Sequence, residues 1–506
     1  MKYIKYTAFV TILAALSACN DDKFTDVIPM PEPTEEQPGT GGSEPAASSR
    51  DEQYRPQVHF TPAANWMNDP NGMVYADGVW HLYYQYNPMG NDWGNMSWGH
   101  ATSTDLIHWT EKNVAMTPNQ YGDIFSGSAI YDKDNVAGFG AGSILAFYTA
   151  NSDRQQQCLA YSTDGGLTYT QYEGNPIISN TDMPDFRDPK VFYHKESGKY
   201  IMALAKGWNY SIDFWGSDNL KNWSKLSEFR TDKARCNVGQ WECPDLIRLP
   251  YNGGEKWVLI VSTNPGGPAM GSGTEYFVGE FNGTEFIADN LDYPLWLDTG
   301  SDNYAGVTWS NTPDGRIIYI GWMNNWNYAG AVPCSPWRSA MTLPRELSLA
   351  NDANGNPVVV SKVVRELDNI AGEWKSVADG VCSGGDAYEM VVNVDPSLNQ
   401  SLTVGNGMGE HISVDINPAA GKIIVGRTSA SGLVSFHGMF SVPSMSADYD
   451  TSLSDLELHF YVDDSSVEIL SADGKIAITC LVFPTIPYDR VNGVDEVTYR
   501  PLSSIW

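Results

Sequence analysis

The chain has 506 residues, enough for two or three domains with ample core. Its 31 basic residues against 61 acidic ones give a formal net charge of −30, which makes nucleic acid a poor partner and leaves a neutral polysaccharide unaffected. The sequence contains no Gly-x-x-x-x-Gly-Lys-Ser/Thr, His-Glu-x-x-His or Cys-x-x-Cys, so phosphate-loop and zinc chemistry lack support, and neither a metal nor a cofactor is expected.

Residues 1–18 begin with Lys2 and Lys5 and continue as an apolar run from Ala8 to Leu16. That run is too short to span a bilayer and reads as a secretory signal peptide. Residues 19–52 are rich in Pro, Glu, Gly, Ser and Thr and read as a disordered tether. From residue 53 to about 350, short aromatic or β-branched runs alternate with turn signals such as Asp77-Gly78, Asp164-Gly165-Gly166, Asn282-Gly283 and Asp314-Gly315. No helical period emerges, so the region reads as all-β. A loop at residues 351–357 separates it from residues 357–506, again strands between Gly and Asn turns. The pattern does not set the number of strands.

Three motifs carry candidate chemistry. Trp66-Met67-Asn68-Asp69-Pro70-Asn71-Gly72 places one carboxylate in a rigid polar turn. The aromatic strand that begins near Val79 holds that turn at a sheet edge. In Asp185-Phe186-Arg187-Asp188-Pro189 the arginine is expected to depress the Asp188 pKa and keep it ionised. In Gly239-Gln240-Trp241-Glu242-Cys243-Pro244-Asp245 the glutamate lies among poorly solvating neighbours, so its pKa is expected to rise. A nucleophile, an ionised stabiliser and a protonated acid are what a retaining glycosidase needs. If Glu242 is on a strand, Trp241 and Cys243 face the other way, into the core.

In order and spacing these motifs resemble the Asn-Asp-Pro-Asn-Gly, Arg-Asp-Pro and Glu-Cys signatures of glycoside hydrolase family 32, the invertases, inulinases and levanases. The likeness extends to Trp98-Gly99-His100-Ala101, Phe125-Ser126-Gly127-Ser128, Gly321-Trp322-Met323-Asn324-Asn325-Trp326 and Phe460-Tyr461-Val462-Asp463, and covers roughly residues 53 to 500. The resemblance implies a five-bladed β-propeller catalytic domain over residues 53–350, followed by a β-sandwich domain over 357–506. It implies Asp69 as nucleophile, Glu242 as acid/base and Asp188 as transition-state stabiliser. Asn68, Asn71, Gln85, Trp93, Phe125, Ser126, Arg187 and Trp326 would bind the fructosyl unit. The other readings are an exo-acting inulinase or invertase, a fructosyltransferase, an inverting glycosidase and a non-catalytic fructan-binding lipoprotein.

Leu16-Ser17-Ala18-Cys19 resembles a bacterial lipobox, with lipidation on Cys19, and the following Asn20-Asp21-Asp22-Lys23 resembles the surface-export signal of Bacteroidota lipoproteins. An outer-membrane anchor facing outward, or alternatively into the periplasm, is expected, with neighbouring glycan-uptake proteins as candidate partners. A tethered enzyme outside the cell favours an internal cut in a fructan polymer, levan first. The remaining six cysteines are widely spaced and are expected as mostly free, buried thiols, although Cys236 and Cys243 could pair.

Overall fold

The computed structural model describes residues 50–180, 183–385 and 387–506. The signal peptide, Cys19 and nearly all of the tether lie outside the described residues. Among the described residues the chain is strand-built, with five short 3-10 turns and no α-helix.

Seven sheets follow one another. The first runs from Asn65–Ala76 through Val79–Asn87 and Ser97–Ser103 to Thr110–Met116, and Trp337–Arg338 adds a parallel strand beside Asn65–Ala76. The second is led by Asp123–Asp132, the third by Arg187–His194, the fourth by Gln240–Tyr251 and the fifth by Tyr304–Thr308. Their hairpins use the expected turn chemistry. Asp77-Gly78 joins strands that pair at Ala76 and Val79, and both turn residues have positive φ (49° and 87°), as a two-residue hairpin requires.

The five leading strands touch in sequence, and Tyr304–Thr308 returns to Asn65–Ala76. Polar side chains tie them. Ser128 Oγ donates to the Pro189 carbonyl at 2.7 Å, and Lys190 Nζ donates to Asp245 at 2.9 Å and to the Thr308 carbonyl at 2.7 Å. Ser310 Oγ donates to the Ala129 carbonyl at 2.8 Å. These side-chain hydrogen bonds between neighbouring sheets set the sheets' mutual register.

The last two sheets comprise six strands, with Ala387–Val394 and Leu456–Asp463 at the centre, and five strands, with His411–Asn417 and Lys422–Arg427 inside. Met390, Val392, Leu402, Val404, Val414, Val425, Leu458 and Ile469 form one shared core from alternate positions. Buried ion pairs join this region to what precedes it. His59 lies between Asp463 (2.7 Å) and Glu468 (2.8 Å), Arg345 pairs with Glu468 and Asp298, and Arg427 reaches Asp302 at 2.7 Å. Burial alone would lower the His59 pKa, but the two carboxylates raise it to about 9. All six described cysteines are free and buried, so Cys236 and Cys243 do not pair.

Candidate active site

The run from Asn68 to Gly72 is not the turn that the sequence suggests. It lies inside the 12-residue strand Asn65–Ala76, whose pairing with Val79–Asn87 slips between Met67 and Pro70 and again between Asn71 and Val74. The bulges are local and have a cause. Pro70 donates no amide, and Gly72 takes φ +57° where an added Cβ would stand 2.5 Å from Trp98.

The same device recurs in every leading strand. The second slips between Ile124 and Gly127, which releases Phe125 and Ser126. The third slips opposite Ala203/Ala205, leaving Asp188 at φ 64°. The fourth slips between Glu242 and Asp245 with Cys243 at φ 47°, and the fifth between Tyr304 and Val307 with Ala305 at φ 52°. Bulges in five leading strands aim side chains from five sheets at one place.

Asp69 is partly exposed and tightly held. Ser126 Oγ donates to its Oδ2 at 2.7 Å, and Asn68 Nδ2 donates to Oδ1 at 2.9 Å. Asn68 is itself fixed by the Trp66 indole N–H at 2.7 Å. The Asp188 carboxylate is buried and accepts from the Cys243 amide at 2.9 Å. Cys243 Sγ stands 3.5 Å from Asp69 and 3.6 Å from Asp188, so one sulfur touches both carboxylates. Arg187 grips Glu242 Oε1 through Nε at 3.0 Å and Nη2 at 2.6 Å, while the Tyr304 hydroxyl donates to Glu242 Oε2. The guanidinium is anchored on Asp185 (2.7 Å) and Gln155 (3.2 Å).

Burial raises the Asp69 pKa, with Glu242 adding to the shift against donors from Ser126, Asn68 and Cys243. Asp188 goes up to about 7. This reverses the expectation that Arg187 would hold it low. Burial is the largest influence, and the Glu242 and Asp69 charges oppose the arginine. Burial and the neighbouring negative charges push both aspartates the same way, towards holding a proton.

The surroundings of Glu242 also differ from expectation. Trp241 does face the core, wholly buried beside Phe229 and Phe277. Cys243 does not face away, because the bulge turns it under the carboxylates. Glu242 therefore meets an arginine and a tyrosine where apolar neighbours were expected.

The remaining sequence candidates adjoin this cluster by different routes. Asn71 Nδ2 reaches the Asp69 carbonyl at 3.4 Å, and Gln85 Nε2 donates to the Ile124 carbonyl at 3.0 Å, next to Phe125. Trp93, 49 % exposed, stands edge-on to Phe125 at 6.1 Å. Trp326 stacks on Trp66 at 5.9 Å, and its amide donates to Ser272 Oγ at 3.0 Å, which fixes it to the loop after Gly266. Sequence reading missed Tyr304 and the site-facing role of Cys243. The available signal for Tyr304 was an aromatic residue just before Ala305-Gly306, where an added Cβ at Gly306 would stand 1.9 Å from the Tyr319 hydroxyl.

A void of about 10 Å³ is lined by Pro70, Ser126, Asp188, Cys243 and Pro244 among others. Two partly exposed carboxylates over a third, buried one, gripped by an arginine and a tyrosine, define the site of a glycoside hydrolase.

The comparisons with known proteins agree with that class. Residues 59–360 match the glycosyl hydrolases family 32 N-terminal domain, and residues 362–499 match the family's C-terminal domain. The chain is 43 % identical over 492 residues to a levanase of Bacillus subtilis, which covers 91 % of this chain and 72 % of that relative. It is 37 % identical over 493 residues to an extracellular exo-inulinase of Aspergillus niger, covering 87 % and 91 %. Among solved structures, the exo-inulinase of Aspergillus awamori superposes with a TM-score of 0.83 at 34 % identity, over 91 % of this chain and all of that one. The chain belongs to glycoside hydrolase family 32.

Proposed function

We propose that this protein is a retaining β-fructofuranosidase that hydrolyses fructan. The observation that carries the reading is the convergence of Asp69 and Asp188 on one thiol, with Glu242 held separately by Arg187 and Tyr304. In this reading residues 53–350, together with the strand Pro357–Val363 that completes the fifth sheet, form a five-bladed propeller, and the last two sheets, from the rest of residues 357–506, form a β-sandwich domain. The return of the fifth leading strand to the first supports the former, and the shared core supports the latter.

Asp69, fixed through both oxygens, attacks the anomeric carbon of a β-fructofuranosyl unit. Glu242 delivers a proton to the leaving oxygen, then takes one from the water that hydrolyses the fructosyl-enzyme. Asp188 binds ring hydroxyls and stabilises positive charge as it develops on the ring. Asn68, Asn71, Gln85 and Ser126 read hydroxyls, and Trp93, Phe125 and Trp326 carry the apolar sugar faces.

The names of the relatives, a levanase and several exo-inulinases, favour fructan as substrate and support release of terminal fructose. The second reading, an internal cut in levan at the outer surface, follows from Cys19 and the tether, and relatives described as extracellular fit that location. NMR of the nascent product tests retention: the β-anomer should appear first, and α-anomer first would reject Asp69 as nucleophile. Timed digests of levan, inulin and sucrose test the rest. Fructose as the sole early product establishes terminal release, whereas a ladder of oligosaccharides establishes internal cutting.

A further inference from the structure

Three of the 17 tryptophans are exposed among the described residues: Trp93, Trp208 and Trp374. Trp374 packs beneath the Arg500 guanidinium at 4.7 Å, and Trp93 belongs to the pocket wall with Phe125. Trp208, 50 % exposed, is left without a part in the chemistry described so far. A single exposed indole needs no explanation by itself, but its place beside the acid can give it a use.

Its position supplies one. Trp208 is the middle residue of the 3-10 turn Gly207–Asn209, between strands Lys199–Lys206 and Ser211–Ser217 of the third sheet. The turn is pressed against the residues that frame Glu242. A Cβ on Gly207 would stand 2.7 Å from Gln240 Cγ and 3.2 Å from Asp185 Cβ. Gln240 opens the strand that carries Glu242, and Asp185 anchors the arginine that grips it. Tyr210 at φ 51° ends the turn, and Arg230 donates to the Asn209 carbonyl at 2.7 Å, so the turn is held. Val238, 54 % exposed, lies two residues before Gln240 and beside Gly266, where an added Cβ would stand 3.2 Å from the valine Cβ. A second large apolar group therefore stands at the same rim.

The geometry points to Trp208, with Val238 beside it, as the platform for sugar units on the leaving-group side of the scissile bond. The assignment rests on Glu242 being the acid. The group that protonates the leaving oxygen must face the departing part of the chain, and the turn leans on the neighbours of Glu242, not on those of Asp69. Furanose rings present C–H faces that suit an indole, and a neutral platform matches an uncharged polymer. Sucrose has one unit beyond the bond and gains little from such a surface. Levan or inulin chains gain more.

The test compares kcat and KM of wild type, Trp208→Ala and Trp208→Phe on sucrose, levan and inulin. For Trp208→Ala the ratio of kcat/KM on fructan to that on sucrose should fall about fivefold to tenfold, the size of one aromatic contact, with the change in KM. Trp208→Phe, which keeps an aromatic face, should recover most of that ratio. A ratio equal to wild type in Trp208→Ala, whether both substrates slow together or neither does, overturns the platform. Trp208→Gln replaces the alanine variant if the latter does not fold. A Glu242→Ala enzyme that stays fully active would instead overturn the reading of the acid, which is a separate outcome.

Discussion

The two sheet regions of this protein obey opposite rules. In the last two sheets strand pairing is almost unbroken. Ala387–Val394 and Leu456–Asp463 pair without a slip from Tyr388/Val462 to Val394/Leu456, and the one irregularity lies between Val425 and Arg427. In the first five sheets every leading strand slips, and each slip falls on residues that form the carboxylate cluster or its walls. Within the slips, the non-glycine residues Asp188, Cys243 and Ala305 hold positive φ. Regular pairing satisfies backbone groups and gives stability, whereas a bulge leaves a residue unpaired and turns its side chain. Irregularity is concentrated where chemistry is needed, and the regular region supplies none of the clustered carboxylates.

If that division is right, substitutions in the bulges should cost rate and substitutions at the junction should cost stability. The largest effect is expected for Asp69→Ala and Glu242→Ala, each lowering kcat by about 10³- to 10⁵-fold with the thermal midpoint near that of wild type. Single-turnover kinetics beside calorimetry would check this, and loss of folding in both variants would break the comparison.

Next comes the junction. Arg345→Met strands Glu468 and Asp298 in a buried setting and should destabilise by about 3–5 kcal/mol in denaturant unfolding. The residual folded enzyme should keep its KM. A rate defect without a stability defect would show that the regular region reaches the site after all.

Asp188→Asn keeps shape and removes charge. It should lower kcat by about 10²- to 10³-fold, and a change confined to KM would reject its role at the transition state.

The smallest effect is one of pH. Glu275 is wholly buried in the fourth sheet, and burial raises its pKa to about 8. The folded form holds its proton where the unfolded chain has released it. Its contribution is therefore complete below the unfolded value of about 4.5 and is lost as pH rises towards 8. His59 has the same sign, with a window from its ordinary value up to about 9. Glu275→Gln should raise the melting temperature at pH 8 relative to wild type and leave it little changed at pH 4. An equal shift at both pH values would show that packing, and not ionisation, is responsible.

Much of the site was legible in linear order. Asp69, Asp188 and Glu242 each sit in a short run with proline one or two positions on, and proline without a donor is what breaks a strand's pairing. The all-β character followed from short aromatic and β-branched runs without a helical period and from turns such as Asp77-Gly78 and Asn282-Gly283, since those signals are local. Other features were decided only in three dimensions. Asp188 was expected to be ionised because Arg187 is its neighbour in sequence, yet burial outweighs that neighbour, with the charges of Glu242 and Asp69, 54 and 119 positions away, adding to it. Tyr304 and the thiol of Cys243 entered the site for the same reason: a bulge aims a side chain by slipping strand pairing, and the partner strand is not written beside it. Sequence by itself determined the three candidate carboxylates and the all-β character. Tertiary structure alone decided which groups share one buried volume, and hence where their protons reside, because burial and charge act through distance and dielectric and not along the chain.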